Sequence, residues 1–347
     1  MTSLVLDVTE LSVDLSTRRG VVHAVDHVDF RVREGETLAI VGESGSGKSV
    51  TVRSIIRLMP TQLVCRRAGT INFMGEDLLV ASDRHLSSIR GREIGIVFQD
   101  PMSSLNPVMR VGDQVAEPLR RHLGMSKSQA LERAVELLDE VKIPRASERI
   151  SSYPHEFSGG MRQRVLIAAA TACRPKLLIA DEPTTALDVT VEAEILGLLK
   201  SQQTKHGMAM ILVSHDLRVV SAIADSVVVM YAGQVVEYAP ASELFERPEH
   251  PYTEGLIQSI PRILRDHAVA RKGHLATIPG SPPDLVDLPA ACRFAERCEY
   301  ATPDDGCVSS LPSLREIRPD HWVRSSQPRS ERTRSESPAS ISDWHAM

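Results

Sequence analysis

The sequence predicts an α/β fold with a mixed β core, an inserted helical subdomain and a loop-rich C-terminal extension. Three observations lead to this prediction. A glycine-rich loop at residues 42–49 stands between the apolar run 38–41 and a segment with helical character. Apolar side chains recur at helical spacing in residues 129–138, whereas strand-like apolar runs return after residue 173. Beyond Pro240, seven prolines interrupt regular structure before residue 290.

These changes of composition divide the 347 residues into four parts. We expect residues 1–98 and 173–240 to form the core and residues 99–172 to form the helical subdomain. Residues 241–324 make the extension. Residues 325–347, rich in Ser, Arg and Glu with little to bury, are expected to be a disordered tail. No internal repeat is visible, so we expect one such core per chain.

Composition excludes some classes of function. A hydrophobic content of 42% is enough for a sizeable core, and a net charge of −5 gives no general basic character, so nucleic acid is not the expected partner. No apolar run approaches the roughly 18 residues of a membrane span, and the first residues do not have the pattern of a secretory signal. Any membrane role is therefore expected to be peripheral, through partner subunits.

The glycine-rich loop matches the pattern G-x-x-x-x-G-K-[ST] in the strand, loop and helix context of a phosphate-binding loop. Its glycines allow a tight loop whose backbone N–H groups point inward, and the helix start adds partial positive charge. Lys48 is expected to reach the β- and γ-phosphates of a nucleotide, and the Ser49 hydroxyl to bind Mg²⁺. The predicted nucleotide-binding residues are Gly42, Glu43, Ser44, Gly45, Ser46, Gly47, Lys48, Ser49 and Val50.

Four polar residues follow further apolar strand-like runs, where α/β sheets place their ligand chemistry. Asp181 suits the Mg²⁺ shell. Glu182 is expected to accept a proton from, or to orient, the water that attacks the γ-phosphate, since phosphoryl transfer depends mainly on positioning and charge stabilisation. His215 can sense the same phosphate. Gln99 can contact Mg²⁺ or the water.

In their order along the chain these motifs resemble the ATP-binding cassette (ABC) family of P-loop NTPases, from about residue 4 to residue 325. The resemblance implies an ATPase using ATP and Mg²⁺. It implies the Walker A loop at residues 42–49, the Q-loop at Gln99, the Walker B end at Asp181 and Glu182, the D-loop at Ala186, Leu187 and Asp188, the switch histidine at His215, and the signature at Ser158, Gly159, Gly160 and Met161.

The family further implies a head-to-tail dimer, in which the signature of one cassette closes over the ATP held by the other. A helix start with two glycines can indeed offer N–H donors and a hydroxyl to a γ-phosphate. Two departures from the family pattern stand out. Met161 replaces the common Gln, and the aromatic residue expected to stack on adenine is missing, so Leu15 or His23 is expected to contact the base.

A finer resemblance, to the D-type ATPases of dipeptide and oligopeptide importers, is carried by residues 98–107 and 178–191. It implies two membrane permease subunits, a second ABC ATPase as partner in a heterodimer, a solute-binding protein acting indirectly, and a peripheral position on the cytoplasmic face of the inner membrane. Three alternatives stay open: an importer ATPase for nickel, glutathione or an opine, a soluble ABC ATPase acting on ribosomes or DNA, and a small-molecule kinase.

Three of the five cysteines are clustered near the C-terminus, at Cys292, Cys298 and Cys307. In a reducing compartment such a cluster points to iron–sulfur or zinc ligation rather than to disulfides. The related importer ATPases often have a fourth cysteine after a His-x-Val-x pattern, and Ser325 stands there. We therefore expect either a [4Fe-4S] or zinc site completed by His321, Ser325 or an outside ligand, or thiols that only pack.

Overall fold

The computed structural model describes residues 3–59, 64–185, 187–260, 278–301 and 306–332. An eight-stranded mixed sheet forms its centre, in the order β11-β12-β10-β9-β3-β8-β7-β6. The five strands from β9 to β6 run parallel, and β10, β12 and β11 continue the sheet antiparallel. The strands are β3 (Thr37–Val41), β6 (Ile94–Val97), β7 (Leu177–Asp181), β8 (Ala209–Val213), β9 (Ser226–Tyr231), β10 (Gln234–Pro240), β11 (Arg315–Arg318) and β12 (His321–Val323).

A smaller antiparallel sheet covers one side of this centre, in the order β2-β1-β4-β5. Its strands are β1 (Leu4–Thr17), β2 (Gly20–Arg33), β4 (Val64–Phe73) and β5 (Glu76–Asp77). The two sheets share one apolar core, in which Leu6 and Phe30 from the small sheet pack together with Ile40 and Ile211 from the large one. Every residue of β3, β7 and β8 is buried, as expected for strands covered on both faces.

Helices cover the remaining surfaces. A second core cluster joins the helical subdomain to the sheet, with Leu119, Leu138 and Ile167 packed together with Leu178. Gly95 of β6 allows this close approach, because a Cβ there would lie 2.3 Å from the Ala170 carbonyl oxygen. The helices are α1 (Lys48–Ile55), α2 (Asp83–Ile89), α3 (Pro101–Ser104), α4 (Val111–Leu123), α5 (Lys127–Glu140), α6 (Ala146–Arg149), α7 (Gly159–Thr171), α8 (Val189–His206), α9 (Leu217–Ile223), α10 (Ala241–Glu246) and α11 (Pro251–Gln258).

The C-terminal extension is more regular than its prolines suggest. Strands β11 and β12 add to the edge of the central sheet, and the short 3-10 helix Ala295–Arg297 packs close to the core. The disordered tail was predicted to begin at residue 325, but the chain is still packed at Arg332, which is buried and donates to the Glu254 carboxylate at 2.6 Å. Residues 333–347 lie outside the described residues. Within the described ranges, no helix has both the length and the apolar character needed to cross a bilayer.

Candidate nucleotide-binding site

The glycine-rich loop connects β3 to α1, and two of its glycines are required by close backbone contacts. A Cβ on Gly42 would lie 2.2 Å from the Met230 carbonyl oxygen, and one on Gly47 would lie 2.4 Å from the Ala24 carbonyl oxygen. Both glycines also have positive φ, of 149° and 104°, which other residues rarely adopt. The loop is therefore seated tightly on β9 and β2, with α1 starting directly behind it.

Lys48 is the first residue of α1, directly after the loop glycines, and it is buried. Its Nζ donates to the carbonyl oxygens of Gly42 and Glu43, both at 2.8 Å. Burial lowers the pKa of Lys48, and the carboxylates of Glu182 and Asp181 oppose that shift. The buried Ser46 hydroxyl has no hydrogen-bond partner among the described residues. A cationic amine beside an unsatisfied hydroxyl fits a phosphate, which would supply acceptors to both.

Asp181 ends β7 and is fully buried next to the first turn of α1. The Ser49 hydroxyl donates to Asp181 Oδ1 at 2.8 Å, and Arg53 Nη2 lies 3.3 Å from Asp181 Oδ2. A hydroxyl and a carboxylate oxygen side by side are ligands that Mg²⁺ prefers. These two predicted metal ligands are therefore brought together, and the residues fit the ion. Arg53 was not predicted, although it lies one helical turn beyond Ser49.

The predicted catalytic residues also meet, around the Glu182 carboxylate. Gln99 Nε2 donates to Glu182 Oε2 at 2.9 Å, Thr185 Oγ1 donates at 3.1 Å, and His215 Nδ1 lies 3.5 Å away. Glu182 has a positive φ of 48°, an unfavourable conformation for a non-glycine residue, and such strain is concentrated at functional sites. Gln99 contacts Glu182 in this structure, and no hydrogen bond joins it to Asp181 in the described part of the chain.

The predicted signature residues lie elsewhere on the surface. Ser158 is the N-cap of α7, its hydroxyl accepts from the Met161 backbone N–H at 3.3 Å, and Ser158 and Gly159 are exposed. Gly160 packs against α8, where a Cβ would lie 2.6 Å from Val191 Cγ1. No hydrogen bond joins Ser158 to residues 42–49 among the residues that the structure describes. Among the described residues, the backbone N–H groups of Gly159 and Gly160 have no hydrogen-bond partner.

The structure describes only part of the predicted D-loop. Asp188 is the exposed N-cap of α8, and its Oδ1 accepts from the Val191 backbone N–H at 3.0 Å. Ala186 lies outside the described residues. Val50 lies in the first turn of α1, half-buried against the main core rather than in the loop itself.

The two candidates for contact with the base differ in exposure. Leu15 is buried in the main core, so the expectation that it contacts a nucleobase is wrong. His23 pairs opposite Asp14 in the small sheet, and its ring is half-exposed with Nδ1 2.7 Å from Asp14 Oδ1. The His23 carbonyl oxygen lies close to Gly233, which in turn donates its N–H to the Ser46 carbonyl at 3.0 Å. Of the two candidates for contact with the base, His23 is therefore the one that lies near the phosphate-binding loop.

Two residues of the extension that sequence reasoning missed also contact the loop. Arg297 donates to both carboxylate oxygens of Glu43, at 2.8 and 2.9 Å, and the Tyr252 hydroxyl accepts from the Glu43 backbone N–H at 2.8 Å. The separations along the chain are 254 and 209 residues. No local pattern could have indicated these contacts.

The three clustered cysteines line one cavity together with Ser325. Their thiols are free, and burial raises the pKa of Cys292 and that of Cys298, the latter to about 11. His321 is not available as a ligand, because it is fully buried with Nε2 2.8 Å from Glu237 Oε1. Among the described residues, no three His, Cys, Asp or Glu side chains are arranged to hold a metal ion.

Comparison with known proteins gives two family matches that together span most of the folded chain. The family described as "ABC transporter" matches residues 25–185, and the family described as "Oligopeptide/dipeptide transporter, C-terminal region" matches residues 236–307. The first match contains the glycine-rich loop and Asp181 with Glu182. The second contains Tyr252 and Arg297.

Similar proteins and structures agree with these matches. A putative peptide import ATP-binding protein of Brucella melitensis is 50% identical over 326 residues, covering 92% of this chain and 96% of that protein. The oligopeptide transport ATP-binding protein OppD of Salmonella typhimurium is 50% identical over 299 residues, covering 86% and 87%. A dimeric ATP-binding cassette in a post-hydrolysis state, bound to ADP and Pi, has a TM-score of 0.60 at 28% identity and covers 68% of this chain and 98% of that one.

Proposed function

The chain belongs to the ABC transporter family, and we propose that it is the ATP-hydrolysing subunit of an importer of dipeptides or oligopeptides. The observation that carries this proposal is the meeting of the Lys48 amine, the Ser49–Asp181 pair and the Glu182 carboxylate around one phosphate-binding loop. The family matches and the names of the relatives support the transport role.

We assign the following roles to these residues. Lys48 exchanges its two carbonyl partners for the β- and γ-phosphate oxygens, which are stronger acceptors. Ser49 and Asp181 would hold Mg²⁺, which neutralises phosphate charge when it is bound. Glu182 orients a water molecule and accepts its proton, while Gln99 and His215 hold the Glu182 carboxylate in place.

The outward-facing start of α7 supports a composite site between two cassettes. Ser158, Gly159, Gly160 and Met161 would reach the ATP held by a second cassette, because this helix start has free N–H donors and an exposed hydroxyl. Asp188, exposed at the start of α8, would lie at the same interface. A second, related ATPase chain as the partner is part of this proposal.

The segment after Gln99 supports contact with membrane subunits. It contains the short helix α3, and its Met102 is 62% exposed and Val108 80% exposed, so both apolar side chains are accessible to a partner. Two permease subunits would bind here and place the chain peripherally on the cytoplasmic face of the inner membrane. The solute-binding protein would act on the permeases rather than on this chain.

An iron–sulfur cluster at Cys292, Cys298 and Cys307 does not fit the residues present. A [4Fe-4S] cluster usually has four thiolates, and Ser325, whose hydroxyl accepts from the Gln327 N–H at 3.0 Å, replaces the fourth. The proposed mechanism uses no such group. Analysis of anaerobically purified chain should find neither iron nor acid-labile sulfide, and stoichiometric iron would show that an outside ligand completes a cluster.

The test of the proposed function is purification of this chain from its own host in mild detergent, trapped with ATP and vanadate. We expect two multi-spanning proteins and a second cassette to co-purify, and a solute-binding protein obtained with them could be screened against dipeptides, nickel, glutathione and opines. Recovery of ribosomal or DNA-repair components would contradict the transport role. A phosphorylated small-molecule product would contradict the ATPase role.

A further inference from the structure

The C-terminal extension contacts the phosphate-binding loop at Glu43. The Arg297 guanidinium donates to both Glu43 carboxylate oxygens, and the Tyr252 hydroxyl accepts the Glu43 backbone N–H. The Glu43 carbonyl oxygen accepts from Lys48 Nζ at 2.8 Å and from the Ser46 N–H at 3.2 Å. Glu43 is thus held by the extension at its side chain and its N–H, and by the loop at its carbonyl.

Arg297 is itself firmly held. Its side chain is 6% exposed, its Nε donates to the Pro279 carbonyl at 2.7 Å, and its Nη1 donates to the Tyr231 hydroxyl at 3.2 Å. The guanidinium carbon also lies 5.8 Å from the centre of the Phe294 ring. These partners fix the orientation of the guanidinium, so that two of its N–H groups point at the two carboxylate oxygens of Glu43.

The charge of Glu43 makes this contact relevant to the nucleotide. Glu43 lies in the loop that is proposed to bind the phosphates of the nucleotide. A carboxylate at this position would repel the negatively charged phosphates. The bidentate ion pair with Arg297 neutralises that carboxylate and turns it toward the extension. Without Arg297, a partly buried negative charge would remain unpaired next to the phosphate site.

We propose that the extension completes the ATP site, with Arg297 and Tyr252 as positioning residues that fix Glu43 and remove its negative charge from the phosphate-binding loop. The inference rests on the proposed function of residues 42–49 as the phosphate-binding loop. It gives the C-terminal region a direct part in nucleotide affinity, in addition to any part in assembly.

The test compares Arg297→Met with a matched control, Arg332→Met. Arg332 follows the extension in the chain and forms a buried ion pair with Glu254, but no hydrogen bond joins it to the loop among the described residues. ATP affinity is measured by titration calorimetry on the full-length chain, and KM and kcat are measured in the purified transporter. Thermal unfolding without nucleotide reports how much stability each variant loses.

We expect both variants to unfold at lower temperature, and only Arg297→Met to bind ATP more weakly, on the order of tenfold, with kcat nearly unchanged. Tyr252→Phe, which removes only the hydroxyl, should raise the KM for ATP about threefold. The decisive variant is the double one. Adding Glu43→Gln to Arg297→Met removes the unpaired charge and should restore most of the ATP affinity.

Two results would overturn the inference. One is an ATP affinity of Arg297→Met equal to that of Arg332→Met, which would make the ion pair purely structural. The other is a double variant that binds ATP no better than Arg297→Met, which would exclude the charge of Glu43 as the cause. Absence of ATP binding by the wild-type chain would instead overturn the proposed function, and this inference with it.

Discussion

Replacement of Glu182 by Gln isolates the chemical step from nucleotide binding. The side chain is 15% exposed and keeps its shape in the variant, so the fold should be unaffected. The variant loses the proton acceptor, and an amide replaces a carboxylate that accepts from Gln99 and Thr185. Removal of a general base typically costs a factor of about 10² to 10⁴ in rate, which is about 2.7 to 5.5 kcal/mol in activation free energy.

The assay is steady-state phosphate release by the purified transporter, with ATP affinity measured in parallel. We expect turnover to fall by that factor while the Kd for ATP changes little, because Glu182 does not contact the loop among the described hydrogen bonds. Glu194→Gln is the control, since Glu194 of α8 has an exposed carboxylate that pairs with Arg164 of α7. Turnover of Glu182→Gln within about threefold of wild type would refute the role assigned to Glu182.

Three further outcomes are expected. Lys48→Ala should weaken ATP binding by about tenfold or more and also lower turnover, because it removes the buried cation of the loop; unchanged affinity in titration calorimetry would contradict this. Gly47→Ala should lower the free energy of unfolding by about 3 kcal/mol, because the added Cβ would collide with the Ala24 carbonyl oxygen. Gly35→Ala is the control: Gly35 also has a positive φ but has open space around it, so this variant should lose only about 1 kcal/mol in the same urea titration. The Cys173 thiol should react with iodoacetamide at pH 8 more slowly than in the urea-unfolded chain, because burial raises its pKa to about 11; equal rates would show that it is accessible.

The positions of the catalytic and metal-binding side chains could be predicted from sequence because they depend on the parallel sheet. Asp181 ends a buried apolar strand, β7, and Gln99 and His215 each come shortly after one of its two neighbours in the sheet, β6 and β8. Because parallel strands end at the same edge, three short local patterns were enough to bring these side chains together. The α/β class was predictable for the same reason, and the structure confirms it.

The contacts that sequence could not provide depend on long-range packing. Strands β11 and β12 contain four and three residues, too few for a periodic signal, and they form only because β10 offers a free edge. The burial of Arg332 likewise depends on Glu254, far away in the chain. Leu15 was misjudged because alternation along β1 gave no means of knowing which face a second sheet would cover.

The C-terminal extension, which an ATP-binding cassette without this region would lack, also contacts the phosphate-binding loop. The family match for the oligopeptide and dipeptide transporter C-terminal region spans residues 236–307, and both Tyr252 and Arg297 lie within it. Their contacts converge on Glu43, and the carbonyl of Glu43 is one of the two acceptors for Lys48. A displacement of the extension could thus be passed to the phosphate-binding lysine through Glu43, although the extension and the ATP site are far apart in sequence.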